Sequence, residues 1–127
     1  MNKKIIITAL VFGIIAIIFG AFGAHALKKV LTADQLISFE TGVRYQMYHA
    51  FFLLFVGMTN IIPESKKKGV YILTLIGIIF FSGSIYLLTT REITSIDITS
   101  IAFITPIGGM LLILAWVILL FNILSKK

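Results

Sequence analysis

The residues with chemistry to offer are few in this chain, and they interrupt strongly apolar sequence. His25 and His49 are the only histidines. A pair of imidazoles can ligate a haem or share a metal ion, and a single one can act as an acid–base group near neutral pH. Two ligands without carboxylates at metal spacing specify a metal poorly, and no carboxylate falls at a comparable depth to orient either ring for proton transfer. We therefore expect hydrogen-bonded structural histidines, with no metal, no cofactor and no enzymatic activity. GxSxG, HExxH, P-loop and dinucleotide fingerprints are missing from the sequence. So is cysteine, which removes disulfides, thiolate catalysis and thiolate metal sites.

Around the histidines the polar residues are patterned. Ser38, Gly42, Tyr45 and His49 are spaced 4, 3 and 4, so they share a helical face, with Gln46 beside it. Glu40 and Arg44 form an i,i+4 pair in the favourable order, although Arg44 can also snorkel to headgroups. Ser82, Ser84 and Thr105 add hydroxyls further along. Polar groups at membrane depth are costly, so a site is the default hypothesis for His25, Arg44, Tyr45, Gln46, His49, Ser82, Ser84 and Thr105. The competing reading is structural. Tyr45, Tyr48, Tyr86 and Arg44 have the composition of an interfacial belt, and a buried Ser or Thr can bond its own helix. Ligand-lined cavity and polar packing cluster both stay open at this point.

Composition says what must hold these residues. Of 127 residues 59% are hydrophobic and 13% charged, with a mean hydropathy of +1.08. A soluble domain carries about 25% charged residues, and one of this size cannot hide so much apolar surface. Lipid removes that problem. The net charge of +6 forms no nucleic-acid-binding stripe, because the basic residues sit at the chain ends and in short loops, as topological anchors do. Membrane lipid is the expected partner and nucleic acid is not.

The expected fold class is all-α: one domain over 1–127, a four-helix transmembrane bundle with a partly interfacial helix leading into the second span. The spans fall at about 5–25, 42–62, 69–90 and 100–124. Residues 5–24 have only Thr8 as a polar side chain and cover about 30 Å, the thickness of the hydrocarbon core. That run exceeds a signal-peptide core of about 7–15 residues, so a retained helix is expected. Thr32 and Gln35 have capping-box spacing, with Leu31 and Leu36 placed as a staple, which starts the second helix at Ala33. Continued to Ile62 it outreaches the bilayer, and its stripe of Leu36, Phe39, Val43 and Met47 suits the interface. Residues 63–68 make a charged turn, 91–99 a polar loop, and Pro106 kinks the fourth span or delays its start. Four crossings put both termini and the 63–68 turn on one side, with Lys3, Lys4, Lys66, Lys67, Lys68, Lys126 and Lys127. Lys28, Lys29, Arg44 and Arg91 lie on the other. This excess of basic residues places both termini in the cytoplasm.

In lipid, helix contacts rely on close backbone approach. Ala9, Gly13, Ala16, Gly20 and Gly23, spaced 4, 3, 4 and 3, make a small-residue seam down the first span. Gly77 and Ser84 serve the third span, and Gly108 and Gly109 the fourth. Such seams hold a bundle together or mark a homo-oligomer interface. In the same topology 20–25, 42–49, 82–86 and 105–109 fall at one depth in the outer half, so the polar residues are expected to converge there. The inner stretches 51–58 and 111–121 are almost wholly apolar.

Taken together, Gly20-Ala21-Phe22-Gly23-Ala24-His25, Phe39-Glu40-Thr41-Gly42-Val43-Arg44-Tyr45-Gln46-Met47-Tyr48-His49, Phe81-Ser82-Gly83-Ser84-Ile85-Tyr86 and Thr105-Pro106-Ile107-Gly108-Gly109 form an ordered motif set. Over nearly the whole chain it resembles the bacterial membrane-protein family called domain of unknown function 423, relatives of transmembrane protein 256. The resemblance implies a multi-pass inner-membrane protein with four helices and an uncleaved first span, and it brings no activity with it. The polar stretch 91–100 departs from the family in being longer. The functional expectation is a non-catalytic structural, accessory or lipid- or small-ligand-binding protein. The alternative is a small transporter or channel subunit with the outer-half cluster as its vestibule, although the inner halves offer it no polar path.

Overall fold

The computed structural model describes residues 1–95 and 102–126. The expected loop residues 96–99, the expected start of the fourth span at 100–101, and Lys127 lie outside the described residues. Within them the chain is all-α, built on four long helices: α1 (Lys3–His25), α2 (Ala33–Met58), α3 (Glu64–Thr89) and α4 (Ile104–Leu124). A 3-10 turn, Leu27–Lys29, follows α1, and one helical turn, Arg91–Thr94, follows α3. The helices α1, α3 and α4 are long and apolar enough to cross a membrane. The exception, α2, carries Asp34, Glu40, Arg44, Gln46 and His49.

The helix starts follow from local chemistry. Asn2 caps α1, its Oδ1 accepting the Ile5 N–H at 3.1 Å. The capping box of α2 forms as its spacing predicts: Thr32 Oγ1 accepts from Gln35 N at 3.1 Å, and Gln35 Oε1 accepts from Thr32 N at 3.0 Å. Three expected boundaries move. The α2 helix stops at Met58 rather than Ile62, because the residue before Pro63 is pushed out of the helical region and Thr59 Oγ1 takes the Ile61 N–H at 3.2 Å. Pro63 is the N-cap of α3, so 64–68 are helical rather than a turn. The fourth helix starts at Ile104 rather than at about 100, the later start expected of Pro106, which is its third residue, where a first-turn N–H has no partner within the helix to lose.

Packing runs α1 on α2, α2 on α3, and α3 on α4. The stripe of Leu36, Phe39, Val43 and Met47 was expected at the interface, but it turns toward α1: a Cβ on Gly23 would meet the Phe39 ring at 3.2 Å, and one on Gly20 would meet Val43 at 3.5 Å. Ala9, Ala16 and Gly23 are buried there, with Gly13 opposite Ala50. Of these, the approach of Gly23 to Phe39 is tight and the other two are ordinary contacts. The tightest approaches lie elsewhere: a Cβ on Gly108 would fall on the backbone of Phe80 and Phe81, one on Gly77 would meet Leu112, and one on Gly57 would meet Ile6 at 2.8 Å. Gly109 sits 3.6 Å from the Phe81 ring by the same measure.

An apolar core of Ile5, Ala9, Leu53, Val56, Val70, Leu112 and Ala115 fills the end of the bundle nearer the termini. Both described chain ends meet the α2–α3 turn there. Asn2 N donates to Gly57 O at 2.7 Å, and Lys126 Nζ donates to Asn60 O at 3.4 Å. Outward, every helix presents large apolar side chains, among them Ile14, Phe51, Ile76 and Ile113.

Candidate functional site

Gln46 lies at the centre of the polar cluster and is buried. Its Nε2 donates to the Phe12 carbonyl of α1 at 2.8 Å, and its Oε1 accepts from the Tyr86 hydroxyl of α3 at 2.7 Å. The amide orientation is fixed by its partners, because a flip would set oxygen against the Phe12 carbonyl. Tyr86 reaches Gln46 only because Gly42 is bare: a Cβ there would stand 2.9 Å from the tyrosine ring. Phe19 and Phe39 hold that ring, with centroids at 4.9 and 5.1 Å.

His49 occupies the same face of α2, one turn deeper. Its Nδ1 lies 2.7 Å from the Tyr45 carbonyl, so the proton sits on that nitrogen. Nε2 is then an acceptor, and it takes the Trp116 indole N–H of α4 at 3.0 Å. Both ring nitrogens are committed and the imidazole is neutral. Ser82 donates to the Gly42 carbonyl at 2.7 Å, tying α3 to α2. Ser84 and Thr105 bond each other across α3 and α4. Ser82 and Ser84, two residues apart on a helix, point to different neighbours, and α3 makes a π turn at Ile79–Gly83 beside them.

The expected convergence is therefore partial. Gln46, His49, Ser82, Ser84 and Thr105 lie inside the bundle and bond across helices. Tyr45 is at the edge, its ring against Tyr48 and Phe81. Arg44 is exposed and donates to Thr41 Oγ1 at 3.1 Å rather than pairing with Glu40. His25, at the far end of α1, is exposed and takes no part. Depth is corrected as well. His49 lies about 14 Å from the Met58 end of α2 at 1.5 Å per residue, so the bonds form a stagger through the bundle rather than one layer. Two residues were missed. Tyr86 was assigned to a belt, and Trp116 sits in a stretch read as almost wholly apolar; an indole N–H in mid-span needs an acceptor, and His49 had one to give.

A second polar group, also unforeseen, closes the end near the termini. Lys67 is 1% exposed, with Nζ 3.0 Å from Glu64 Oε1 and 3.3 Å from the Gly57 carbonyl. Asn2 Nδ2 donates to the other Glu64 oxygen at 2.9 Å. Beside the His49–Trp116 pair, an apolar groove of about 500 Å³ runs between α2, α3 and α4, walled by Tyr45, Phe81, Leu112 and Ile113. It opens on the flank, since Ile113 and Trp116 are exposed.

Comparison with known proteins places these features. A family model described as "Protein of unknown function (DUF423)" matches residues 19–109. The chain belongs to the DUF423 family. The matched region holds every bond of the polar cluster except those made by Phe12 and Trp116. Relatives of this DUF423 chain include a UPF0382 membrane protein of Staphylococcus saprophyticus, 41% identical over 92% of this chain and 93% of the relative. A UPF0382 membrane protein of Haemophilus influenzae is 35% identical over 99% of this chain and 97% of its own. The UPF0382 inner membrane protein YgdD of Escherichia coli is 29% identical over 99% and 93%. No solved structure matches the chain.

Proposed function

We propose that this DUF423 member is a non-catalytic, four-span protein of the bacterial cytoplasmic membrane, with both termini in the cytoplasm, whose polar cluster cross-links its helices. The observation that carries the reading is Gln46. Its amide spends one end on α1 and the other on α3, which is how a buried polar group is satisfied in hydrocarbon, where an unpaired one costs about 2–7 kcal/mol. The same pairing supports a membrane crossing by α2. Gln46 and His49 depress its hydropathy, yet both face the bundle and keep their bonds there, while Phe51 and Phe55 face outward. The apolar flank groove supports a role in holding lipid or a small apolar ligand over a role as a channel, whose vestibule would need polar groups free for water.

Gln46→Leu and Tyr86→Phe, made singly and together, test this by unfolding in detergent. Each should lower stability, with a coupling of about 0.5–2 kcal/mol between them. A Gln46→Leu protein as stable as the parent that no longer complements a chromosomal deletion would turn the cross-link into a site.

A further inference from the structure

At the end of the bundle that holds both described termini, α1 and α3 diverge around a cleft of about 310 Å³. Its floor is a bond between the helices, Tyr71 hydroxyl to Thr8 Oγ1 at 2.8 Å, with Thr8 donating in turn to the Lys4 carbonyl. Lys4 and Lys68 stand at its mouth. Each lies one helical turn from the floor, since Lys4 to Thr8 is i,i+4 and Lys68 to Tyr71 is i,i+3. The one carboxylate lining the cleft, Glu64, is already committed, one oxygen to buried Lys67 and the other to Asn2. Among the described residues no carboxylate lies within 4.0 Å of Lys4 or Lys68. The cleft therefore offers two unpaired cations over a carboxylate whose charge is met from behind.

We propose that this cleft seats the headgroup of one anionic phospholipid, with Lys4 and Lys68 on the phosphate. The chemistry asks for an amphiphile rather than a soluble anion. Ile5 and Ile72 also line the cleft, Ile72 lies one helical turn beyond Lys68, and it continues at i+4 into Ile76, which also faces outward. An acyl chain follows that strip while its phosphate stays between the lysines. Basic clefts between membrane helices on the cytoplasmic side are where anionic headgroups are held.

The test uses purified protein in mixed micelles, so its outcome does not depend on the orientation or the cross-linking role proposed above. Phosphatidylglycerol should raise the thermal midpoint of the wild type, and phosphatidylcholine should not. The Lys4→Gln/Lys68→Gln variant should bind phosphatidylglycerol roughly thirtyfold more weakly, about fivefold for each lysine, while keeping its midpoint in phosphatidylcholine. Lys28→Gln/Lys29→Gln, which removes two lysines at the opposite end, should behave as wild type. Equal stabilisation of all three proteins by phosphatidylglycerol overturns the proposal, because diffuse attraction then suffices. Equal stabilisation by inorganic phosphate or glycerol phosphate overturns it as well, because the strip then contributes nothing. Should the double variant fail to fold, native mass spectrometry of the wild type decides: one retained phosphatidylglycerol under conditions that strip phosphatidylcholine supports the site, and no preference refutes it.

Discussion

Lys67 sets the residue-scale problem, since a lysine beside a membrane normally reaches for water. Here it turns inward, and its ammonium is held by Glu64 and by the carbonyl that ends α2. Glu64→Gln should therefore lower the detergent melting midpoint more than Lys67→Met does. The first leaves a buried cation without its counter-charge, and the second removes the cation while keeping the stem. Melting curves at neutral pH give the order; the reverse order would mean that the freed lysine swings out to solvent. Sequence spacing counted this lysine among the topological anchors. Nothing in three consecutive lysines says which one faces inward, and placing a turn at 63–68 hid the i,i+3 relation to Glu64. Trp116 was hidden differently, by treating an indole as purely apolar.

Among elements, the close contact of α3 and α4 stands out. Gly108 lies directly on the backbone of Phe80 and Phe81, at the π turn, where neither helix has a flexible group to move aside. Gly108→Ala should cost about 1–3 kcal/mol by overpacking. Gly69→Ala, in α3 with open space around it, should be neutral or stabilise by up to about 1 kcal/mol through helix propensity. Reversible unfolding of both variants in detergent checks the pair, and similar behaviour would remove the contact from consideration. Helix existence was legible from apolar run length, and the start of α2 from its capping box. Small-residue spacing named Gly77 and Gly108 alongside the α1 seam but ranked none of them and left Gly57 out, because closeness depends on what lies opposite: Gly20 faces a valine side chain and Gly108 faces backbone. The π turn left no trace in the pattern, since an inserted residue in an apolar run changes no periodicity that can be read.

For the whole molecule, the decisive matter is which end faces which compartment. Both described termini and the α2–α3 turn share one end, and the proposed orientation, argued from the lysine excess, puts that end in the cytoplasm. In whole cells a Ser38→Cys variant should react with an impermeant thiol reagent and a Ser65→Cys variant should not; both serines are exposed. The opposite pattern would invert the protein. The polar cluster was only half legible at this scale. Helix direction and rise placed groups at approximate depths, but rotation about each helix axis decides who meets whom, and His25 and Arg44 turn outward while Gln46 and His49 turn in.

Gln46 also has a consequence in time. Its Nε2 partner belongs to α1 and its Oε1 partner to α3, so one bond can form as soon as the first two helices meet, and the other must wait for a later part of the chain. Until Tyr86 arrives, the pair of α1 and α2 carries a lone buried acceptor, opposite the bare backbone of Gly42 that will receive the ring. Synthesis from the N-terminus thus leaves a directional vacancy that, in the folded chain, the next helix fills.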